Sequence, residues 1–139
     1  MVYRKLKASF KPHKDRFYRT ILVREDINLV KLGCVLASAL GSDFEHLFLF
    51  RKGRDSYVSD AFLEDGEEPG WYAMKNYTLA DLGTTFAFLY DTGDGWEFEC
   101  KVYKKTEEIE DGEIAYLVDG NGQGIWEDNI YTLLSYLDG

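Results

Sequence analysis

The sequence is poor in cysteine and has no long apolar segment, and each absence excludes a class of protein. Its two cysteines, Cys34 and Cys100, stand in different segments without a CxxC pair, which argues against a disulfide framework or a zinc ribbon. Both are expected to be small buried thiols. No run approaches the roughly 18 apolar residues of a membrane span, and the strand-like start Met1–Lys7 differs from a signal peptide. We therefore expect a cytoplasmic protein with no membrane partner.

The sequence does contain enough apolar material for one sizeable core. The chain has 139 residues, of which 45% are hydrophobic and 16% are aromatic. This length and this composition are typical of one globular domain. We therefore predict a single domain over residues 1–139.

Charge is unevenly distributed along the chain. The net charge is −9, yet residues 1–31 are basic. In that region Lys and Arg alternate with apolar residues such as Leu6 and Phe10, which is typical of the solvated face of a sheet. The alternative is a surface for nucleic acid, which the overall acidity disfavours. Its candidate residues are Arg4, Lys5, Lys7, Arg16 and Arg19.

The apolar periodicity predicts an opening β-hairpin followed by a helix. Residues 2–10 and 16–24 alternate like strands around a turn at Pro12. Asn28 is positioned to cap a helix that ends at Gly41. Further strand-like runs follow, and the chain closes on a helix. This order predicts an α+β fold with a single curved, mainly antiparallel or mixed sheet, a β-grasp-like ββαβ start and a C-terminal helix.

A second hairpin, Phe86–Val102, is the most informative segment. Its two arms alternate apolar and polar residues, which predicts a half-buried antiparallel pair of strands. The turn between the arms is rich in glycine and acidic residues. Residues 60–76 are predicted to form a mobile acidic loop, and residues 119–124 a second glycine loop.

In four ordered blocks the chain resembles the plasmid Orf-three-like family of the pRiA type. The strongest block is Tyr90–Trp96, which is similar to the family's Tyr-Asp-Phe-Gly-Asp-x-Trp. The other blocks are Arg16–Val23 with Leu29–Leu32, Gly41 with His46–Phe50, and Gly120–Gly122 with Glu127–Asp128. Members are small α+β domains found on plasmids, on chromosomes and near mobile elements, and their biochemical role is unassigned. The resemblance therefore implies a fold and no reaction.

The chain departs from the family pattern at several positions. Gly33 stands where the family often has histidine, and Ser42 where it often has tryptophan. Ile125 and Trp126 replace a pair of prolines before the last acidic pair. Any shared catalytic site that used this last loop would be altered in the present chain.

Carboxylates on the two glycine loops form the candidate site. If the loops meet at one end of the sheet, they create an acidic pocket beside aromatic rings and a histidine. The candidate binding surface consists of His46, Tyr90, Asp91, Asp94, Trp96, Trp126, Glu127 and Asp128. The structural alternative is that Asp91 and Asp94 hold the backbone of their own turn, that Asp128 caps the last helix, and that His46 bonds a backbone carbonyl.

Three classes of function remain open. The leading prediction is a non-catalytic binding domain that docks a basic protein segment or a small ligand, with no cofactor. The first alternative is a metal-dependent hydrolase with magnesium held by Asp91, Asp94, Glu127 and Asp128. The second is a nucleic-acid accessory protein of a mobile element that acts through the basic residues. The identity of the partner and the oligomeric state stay open.

Overall fold

Eight strands form one mixed sheet across the residues that the computed structural model describes, which are 1–64, 66 and 68–138. The strands are β1 (Val2–Phe10), β2 (Tyr18–Arg24), β3 (Phe48–Lys52), β4 (Asp55–Val58), β5 (Trp71–Ala73), β6 (Thr85–Tyr90), β7 (Trp96–Glu108) and β8 (Ala115–Asn121). The α-helices are α1 (Leu29–Ala39), α2 (Leu79–Leu82) and α3 (Ile130–Asp138). Short 3₁₀ turns lie at Asp60–Leu63 and Met74–Asn76.

The strands follow the order β5-β4-β3-β6-β7-β1-β2-β8 across the sheet. Neighbouring strands are antiparallel except for β4 and β5, which are parallel. The predicted α+β fold with a strand-rich, mainly antiparallel sheet is therefore confirmed. The β-grasp-like start is not confirmed, because β3, the strand after α1, pairs with β4 and β6 and is separated from the opening hairpin by β6 and β7.

The main core lies between one face of the sheet and the helices α1 and α3. Alternate residues of each strand point to this face because side chains in a strand have a period of two. On α1 the buried positions recur at spacings of three and four, as predicted. Each large apolar side chain that is buried in this way contributes about 1.5–3 kcal/mol. The core includes Leu6, Phe10, Ile21, Val23, Leu29, Leu32, Leu36, Phe50, Phe88, Phe98, Ile130, Leu133 and Leu137.

Aromatic rings join the opening hairpin to β7 within this core. The ring centroid of Phe10 lies 5.4 Å from those of Phe17 and Trp96. It lies 5.5 Å from the centroid of Phe98. Such tilted pairs add about 0.5–1.5 kcal/mol to the burial of their area, so Trp96 is a structural residue of the hairpin.

The predicted start of α1 is present, and α2 begins with a capping box. The side chain of Asn28 accepts a hydrogen bond from the backbone N–H of Val30 at 2.8 Å, and α1 ends before Gly41, whose φ is +83°. Thr78 and Asp81 form the capping box of α2. No helix in the described part of the chain is long and apolar enough to cross a membrane.

Three local predictions differ from the structure. The stretch 60–76 contains β5 and the two 3₁₀ turns, because a three-residue strand carries too little alternation to be recognised. Asp65 and Glu67 of that stretch lie outside the described residues. The second glycine loop begins later than predicted, since β8 continues to Asn121. Cys100 is buried, which raises the pKa of its thiol, but Cys34 is exposed on α1 beside the stripe that faces the core.

Gly33 allows the ring of Phe48 to pack against α1. A Cβ atom at Gly33 would lie 1.9 Å from Cε1 of Phe48. The Phe48 ring is itself held beside the rings of Phe50 and Phe88, at centroid distances of 6.4 and 5.6 Å. The Phe48 ring therefore fills the space that the side chain of a histidine at position 33 would need.

Gly33→Ala is expected to lower the free energy of unfolding. Forcing a methyl group against Phe48 costs up to about 3 kcal/mol, whereas replacing a helical glycine by alanine gains about 1 kcal/mol. Urea denaturation measures the net difference. Cys34→Ala is the matched control because Cys34 is exposed on the same helix. An unchanged or higher stability of Gly33→Ala would contradict the close packing of Phe48 on α1.

Candidate functional site

Three segments of the chain meet at one end of the sheet. They are residues 42–47 before β3, residues 90–96 between β6 and β7, and residues 124–130 before α3. The backbone N–H of Asp91 donates to the carbonyl of Leu47 at 2.9 Å, which joins the first two segments. The backbone N–H of Ile130 donates to Oδ2 of Asp94 at 3.2 Å, which joins the third. The turn after Tyr90 and the segment after the second glycine loop therefore meet, as the predicted site requires.

A buried hydrogen-bond relay through Tyr90 connects these segments. The Tyr90 hydroxyl accepts from the backbone N–H of His46 at 3.2 Å and donates to Oε1 of Glu127 at 2.9 Å. The same oxygen of Glu127 accepts from the backbone N–H of Asp43 at 2.8 Å. Burial, reinforced by the Glu127 carboxylate, raises the pKa of the Tyr90 hydroxyl, so that it stays protonated and acts as a donor. The relay fixes the position of the Glu127 side chain.

Asp91 uses its two carboxylate oxygens for different contacts. Oδ1 accepts from the backbone N–H groups of Gly93 and Asp94 at 3.1 and 3.3 Å. This is the turn-holding role that a position in a glycine turn predicts. Oδ2 instead lies 3.5 Å from Nε2 of His46, and the side chain is 10% exposed. Asp91 thus holds its turn with one oxygen and faces the site with the other.

His46 lies among three carboxylates. Its Nε2 is 2.9 Å from Oδ1 of Asp128, 3.5 Å from Oδ2 of Asp91 and 3.9 Å from Oε2 of Glu127. We call these four residues the His46 cluster. One ligand atom each from His46, Asp91 and Asp128 lie within 4.8 Å of one another. Oε2 of Glu127 is buried and has no hydrogen-bond partner among the described residues.

The electrostatics of the cluster favour a positive charge at His46. Burial lowers the pKa of the imidazole, but the carboxylates of Asp91, Asp128 and Glu127 together raise it by more. The net pKa therefore lies above the usual value of 6.5. A cation at this position is stabilised by the surrounding negative charge.

The backbone around the cluster adopts an uncommon conformation. Among the described residues, Phe44, Asp91, Asp111 and Asp128 are the non-glycine positions with positive φ. Two of them, Asp91 and Asp128, both at +58°, belong to the His46 cluster, and Phe44, at +59°, lies two residues before His46. Aspartate tolerates the left-handed region, whereas a phenylalanine there is strained. Such conformations persist where surrounding contacts hold them, and they are frequent at ligand sites.

The aromatic members of the predicted surface lie beneath the site. Tyr90 and Trp96 have an exposed fraction of 0%. Trp126 is half-buried, packs on the core and lies beside Tyr136 with ring centroids 6.0 Å apart. Of these three rings, Tyr90 contacts an acidic group, Glu127. Tyr90 and Trp96 are buried and therefore do not form an exposed aromatic surface for protein docking.

Asp94 and Asp128 each follow one of the roles that the sequence left open, or a related one. Asp94, a candidate metal ligand or turn residue, accepts the first backbone N–H of α3. Asp128, a candidate metal ligand or cap of the last helix, contacts His46, and its side chain is 66% exposed. Sequence analysis placed His46 on the candidate surface, but spacing along the chain did not indicate that it would lie at the centre, because the other members of the cluster belong to other segments.

The basic residues proposed for nucleic acid divide into two groups. Arg19 donates to backbone carbonyls at the ends of α1 and β8 at 2.9, 2.7 and 3.0 Å. Arg16 donates to a carbonyl of α3, and Arg4 forms an ion pair at 3.0 Å. These three arginines have structural partners. Lys5 and Lys7 instead line a cavity on the opposite face of the sheet, beside two acidic side chains.

The comparisons with known proteins agree with this architecture. The fold is of the α+β class, with one strand-rich mixed sheet and a few helices. The chain matches the model of the family described as plasmid pRiA4b ORF-3-like protein over residues 3–131, and it belongs to that family. The resemblance found in the sequence is thereby confirmed.

A solved structure shows the same fold. It is the crystal structure of a protein of unknown function from Methanosarcina mazei Go1, with a TM-score of 0.79 and 19% sequence identity. The match covers 99% of this chain and 79% of that chain. At this identity the similarity shows the fold alone. No curated protein matches the chain.

The His46 cluster is expected to make stability depend on pH. Because the folded protein raises the pKa of His46 above 6.5, the stabilisation from its ion pairs is complete below that pH and is lost as pH rises through the raised pKa. Urea denaturation at a series of pH values should show this decline in wild type and in His13→Gln, and not in His46→Gln. A decline of the same size in His46→Gln would contradict the assignment.

Proposed function

We propose that this protein is a binding domain for a divalent metal ion. His46, Asp91 and Asp128 would supply the ligands, with the carboxylate of Glu127 beside them. The observation that carries the proposal is the convergence of one ring nitrogen and two carboxylate oxygens, from three separate segments, within 4.8 Å. Donors brought together in this way are typical of a metal centre.

The distances between donors support a metal ion. Ligands at about 2.0–2.2 Å from a metal, at angles between those of an octahedron and a tetrahedron, lie roughly 2.8–3.6 Å apart. Nε2 of His46 is 2.9 Å from Oδ1 of Asp128 and 3.5 Å from Oδ2 of Asp91. The distance from Nε2 of His46 to Oε2 of Glu127 is 3.9 Å, which is longer than this range. The two distances from Nε2 of His46 therefore fit one coordination sphere, while the oxygens of Asp91 and Asp128 lie within 4.8 Å of each other and Glu127 is farther from the ring nitrogen.

Charge and burial support the same conclusion. Three carboxylates surround His46, so even a protonated imidazole leaves the cluster negative. A buried polar atom without a partner costs about 1–3 kcal/mol, and the described residues offer no hydrogen-bonding partner to Oε2 of Glu127. A dication beside His46 would neutralise charge and attract this oxygen.

The donor set favours a particular class of metal. Imidazole nitrogen suits Zn²⁺, Fe²⁺ and similar ions, whereas Mg²⁺ prefers oxygen ligands and keeps several waters. A cluster of one imidazole and several carboxylates is therefore better suited to Zn²⁺ or Mn²⁺ than to the magnesium of the sequence-based alternative. Docking of an extended basic peptide is less well supported, because Tyr90 and Trp96 are buried.

A metal-dependent hydrolase is the second candidate. The side chain of Asp128 is 66% exposed, so one side of the cluster faces solvent. Three protein ligands would leave a coordination position for water, and metal-bound water ionises near neutral pH. Turnover of nitrophenyl phosphates or esters by the metal-loaded protein, lost in Asp128→Asn, would support an enzyme. Metal binding without turnover would contradict the hydrolase and agree with a non-catalytic metal-binding domain.

Calorimetric titration of the chelator-treated protein with Zn²⁺ and Mn²⁺ tests the proposal. We expect one ion per chain and an affinity that falls at acidic pH, because His46 must lose its proton. Asp91→Asn retains an oxygen that can accept from Gly93 and Asp94, so the turn survives while the ligand charge is lost. Asp91→Asn and Asp128→Asn should each weaken binding by at least about 10–100-fold.

Two matched variants serve as controls. Asp94→Asn changes the residue that caps α3 and keeps an acceptor for it. His13→Gln removes a histidine that pairs with Asp138 at 2.6 Å, in an exposed contact. Both should retain the wild-type affinity. Equal affinity in all five proteins, or no binding by wild type, would contradict the proposal.

A further inference from the structure

The outer face of the sheet, opposite the core, is covered on one half and open on the other. On β3, β4 and β6 this face carries a small apolar cluster that includes Leu89, against which Phe62 and Trp71 pack. Over β7, β1 and β2 it is lined by two cavities of about 620 and 480 Å³. The cavities share Lys7 and Tyr103, so they adjoin. We call the two together the sheet groove.

The sheet groove is basic in a chain whose net charge is −9. Six basic and four acidic side chains line it. Two of the four acids, Glu97 and Glu99, already form ion pairs with lysines. An anionic ligand is therefore favoured here, although the protein as a whole is acidic. The basic residues of the groove are Lys5, Lys7, Lys14, Arg51, Lys101 and Lys105.

Two of these lysines face each other across neighbouring strands. Lys7 of β1 and Lys101 of β7 are directly opposite in an antiparallel pair, and both line the groove. Like charges in that position are destabilising. The ion pairs among the described residues include neither lysine. A phosphate group between the two ammonium groups would replace this repulsion by attraction.

Each of the two lysines lies over a tyrosine ring. Nζ of Lys7 is 4.3 Å from the ring centroid of Tyr18, and Nζ of Lys101 is 5.2 Å from that of Tyr103. Both tyrosines are half-buried and border the groove. The groove therefore combines cationic groups with aromatic rings. Surfaces that bind single-stranded nucleic acid use this combination, because phosphates contact the cations and bases stack on the rings.

We propose that the sheet groove binds single-stranded nucleic acid. The lysines contact phosphates, and Tyr18 and Tyr103 stack on bases, as on the open sheets of some RNA-binding domains. The lining residues extend from β3 to β8, which are five strand spacings apart. At about 4.8 Å per spacing this is roughly 24 Å, which is long enough for several nucleotides. A single strand fits better than a duplex, whose bases stack on each other and are not available to the tyrosines.

This surface differs from the one that the sequence suggested. Arg4, Arg16 and Arg19 have structural partners, as described above. Lys5 and Lys7 remain, and they are joined by lysines of β7 that are more than ninety positions away in the sequence. The pairing of β1 with β7 brings them together.

Fluorescence anisotropy with labelled oligothymidylate and oligouridylate, each about 12 nucleotides long, tests the proposal. The protein is kept in EDTA so that the His46 cluster holds no metal. We expect wild type to bind at least one of the two at low salt, and the comparison shows whether DNA or RNA is preferred. The logarithm of the affinity should fall with the logarithm of the salt concentration, with a slope of about −0.7 per phosphate contact. No binding of either oligonucleotide, or equal binding of a duplex, would overturn the proposal.

Lys101→Gln tests the phosphate contacts. It should weaken binding and reduce the magnitude of the salt slope by about 0.7. The variant should be at least as stable to heat as wild type, because the repulsion with Lys7 is removed. Lys31→Gln is the matched control, since Lys31 is exposed on α1, which packs on the other face of the sheet. An equal loss of affinity in both variants would show that only net charge matters and would contradict the proposal.

Tyr103→Leu tests the stacking. Base stacking on an aromatic ring contributes enough that its loss should weaken binding by at least about 5-fold, with the salt slope unchanged. Tyr131→Leu is the control, because Tyr131 is 77% exposed on α3, and it should bind like wild type. An affinity of Tyr103→Leu equal to that of wild type would contradict the stacking of bases in the sheet groove.

Discussion

The hydrogen bond from the buried Tyr90 hydroxyl to Glu127 holds the functional end of the molecule together. Tyr90 is the last residue of β6, and Glu127 belongs to the segment that leads into α3. The same hydroxyl accepts from the backbone of His46. Breaking this relay would leave buried polar groups unpaired, at about 1–3 kcal/mol each. The relay places His46 and the acidic pair Glu127–Asp128 side by side, so the His46 cluster follows from the way the sheet is joined to the last helix.

This arrangement concentrates negative charge, and a cation compensates for it. In the protein alone, burial lowers the pKa of the His46 imidazole, but the carboxylates raise it by more, so that a proton on His46 is favoured relative to a free histidine. A metal ion would replace the proton at the same nitrogen, since a ligating histidine must be neutral. The positive φ angles of Asp91 and Asp128 indicate that surrounding contacts hold these residues in place. If the proposed function is correct, structural stability and metal binding depend on the same four side chains.

Local sequence signals predicted the helices and the hairpin turn well. They predicted the contacts between segments that are distant along the chain less well. Asn28 and Gly41 predicted the two ends of α1 because caps act within a few residues. The hairpin turn at Asp91 was predicted for the same reason. The strand order could not be predicted, because the placement of β3 beside β6 depends on packing across the whole sheet. The contact of Asp94 with the start of α3 could not be predicted for the same reason, since it depends on how α3 docks.

The nitrogen NMR spectrum of the histidine rings tests the metal site most directly. The chain contains two histidines, so both ring signals can be assigned by single substitutions. On addition of Zn²⁺, the Nε2 signal of His46 should shift to that of a metal-bound imidazole, while the signals of His13 should stay unchanged. A His46 signal that stays unchanged at saturating Zn²⁺, or a shift at His13 alone, would contradict the His46 cluster as a metal-binding site.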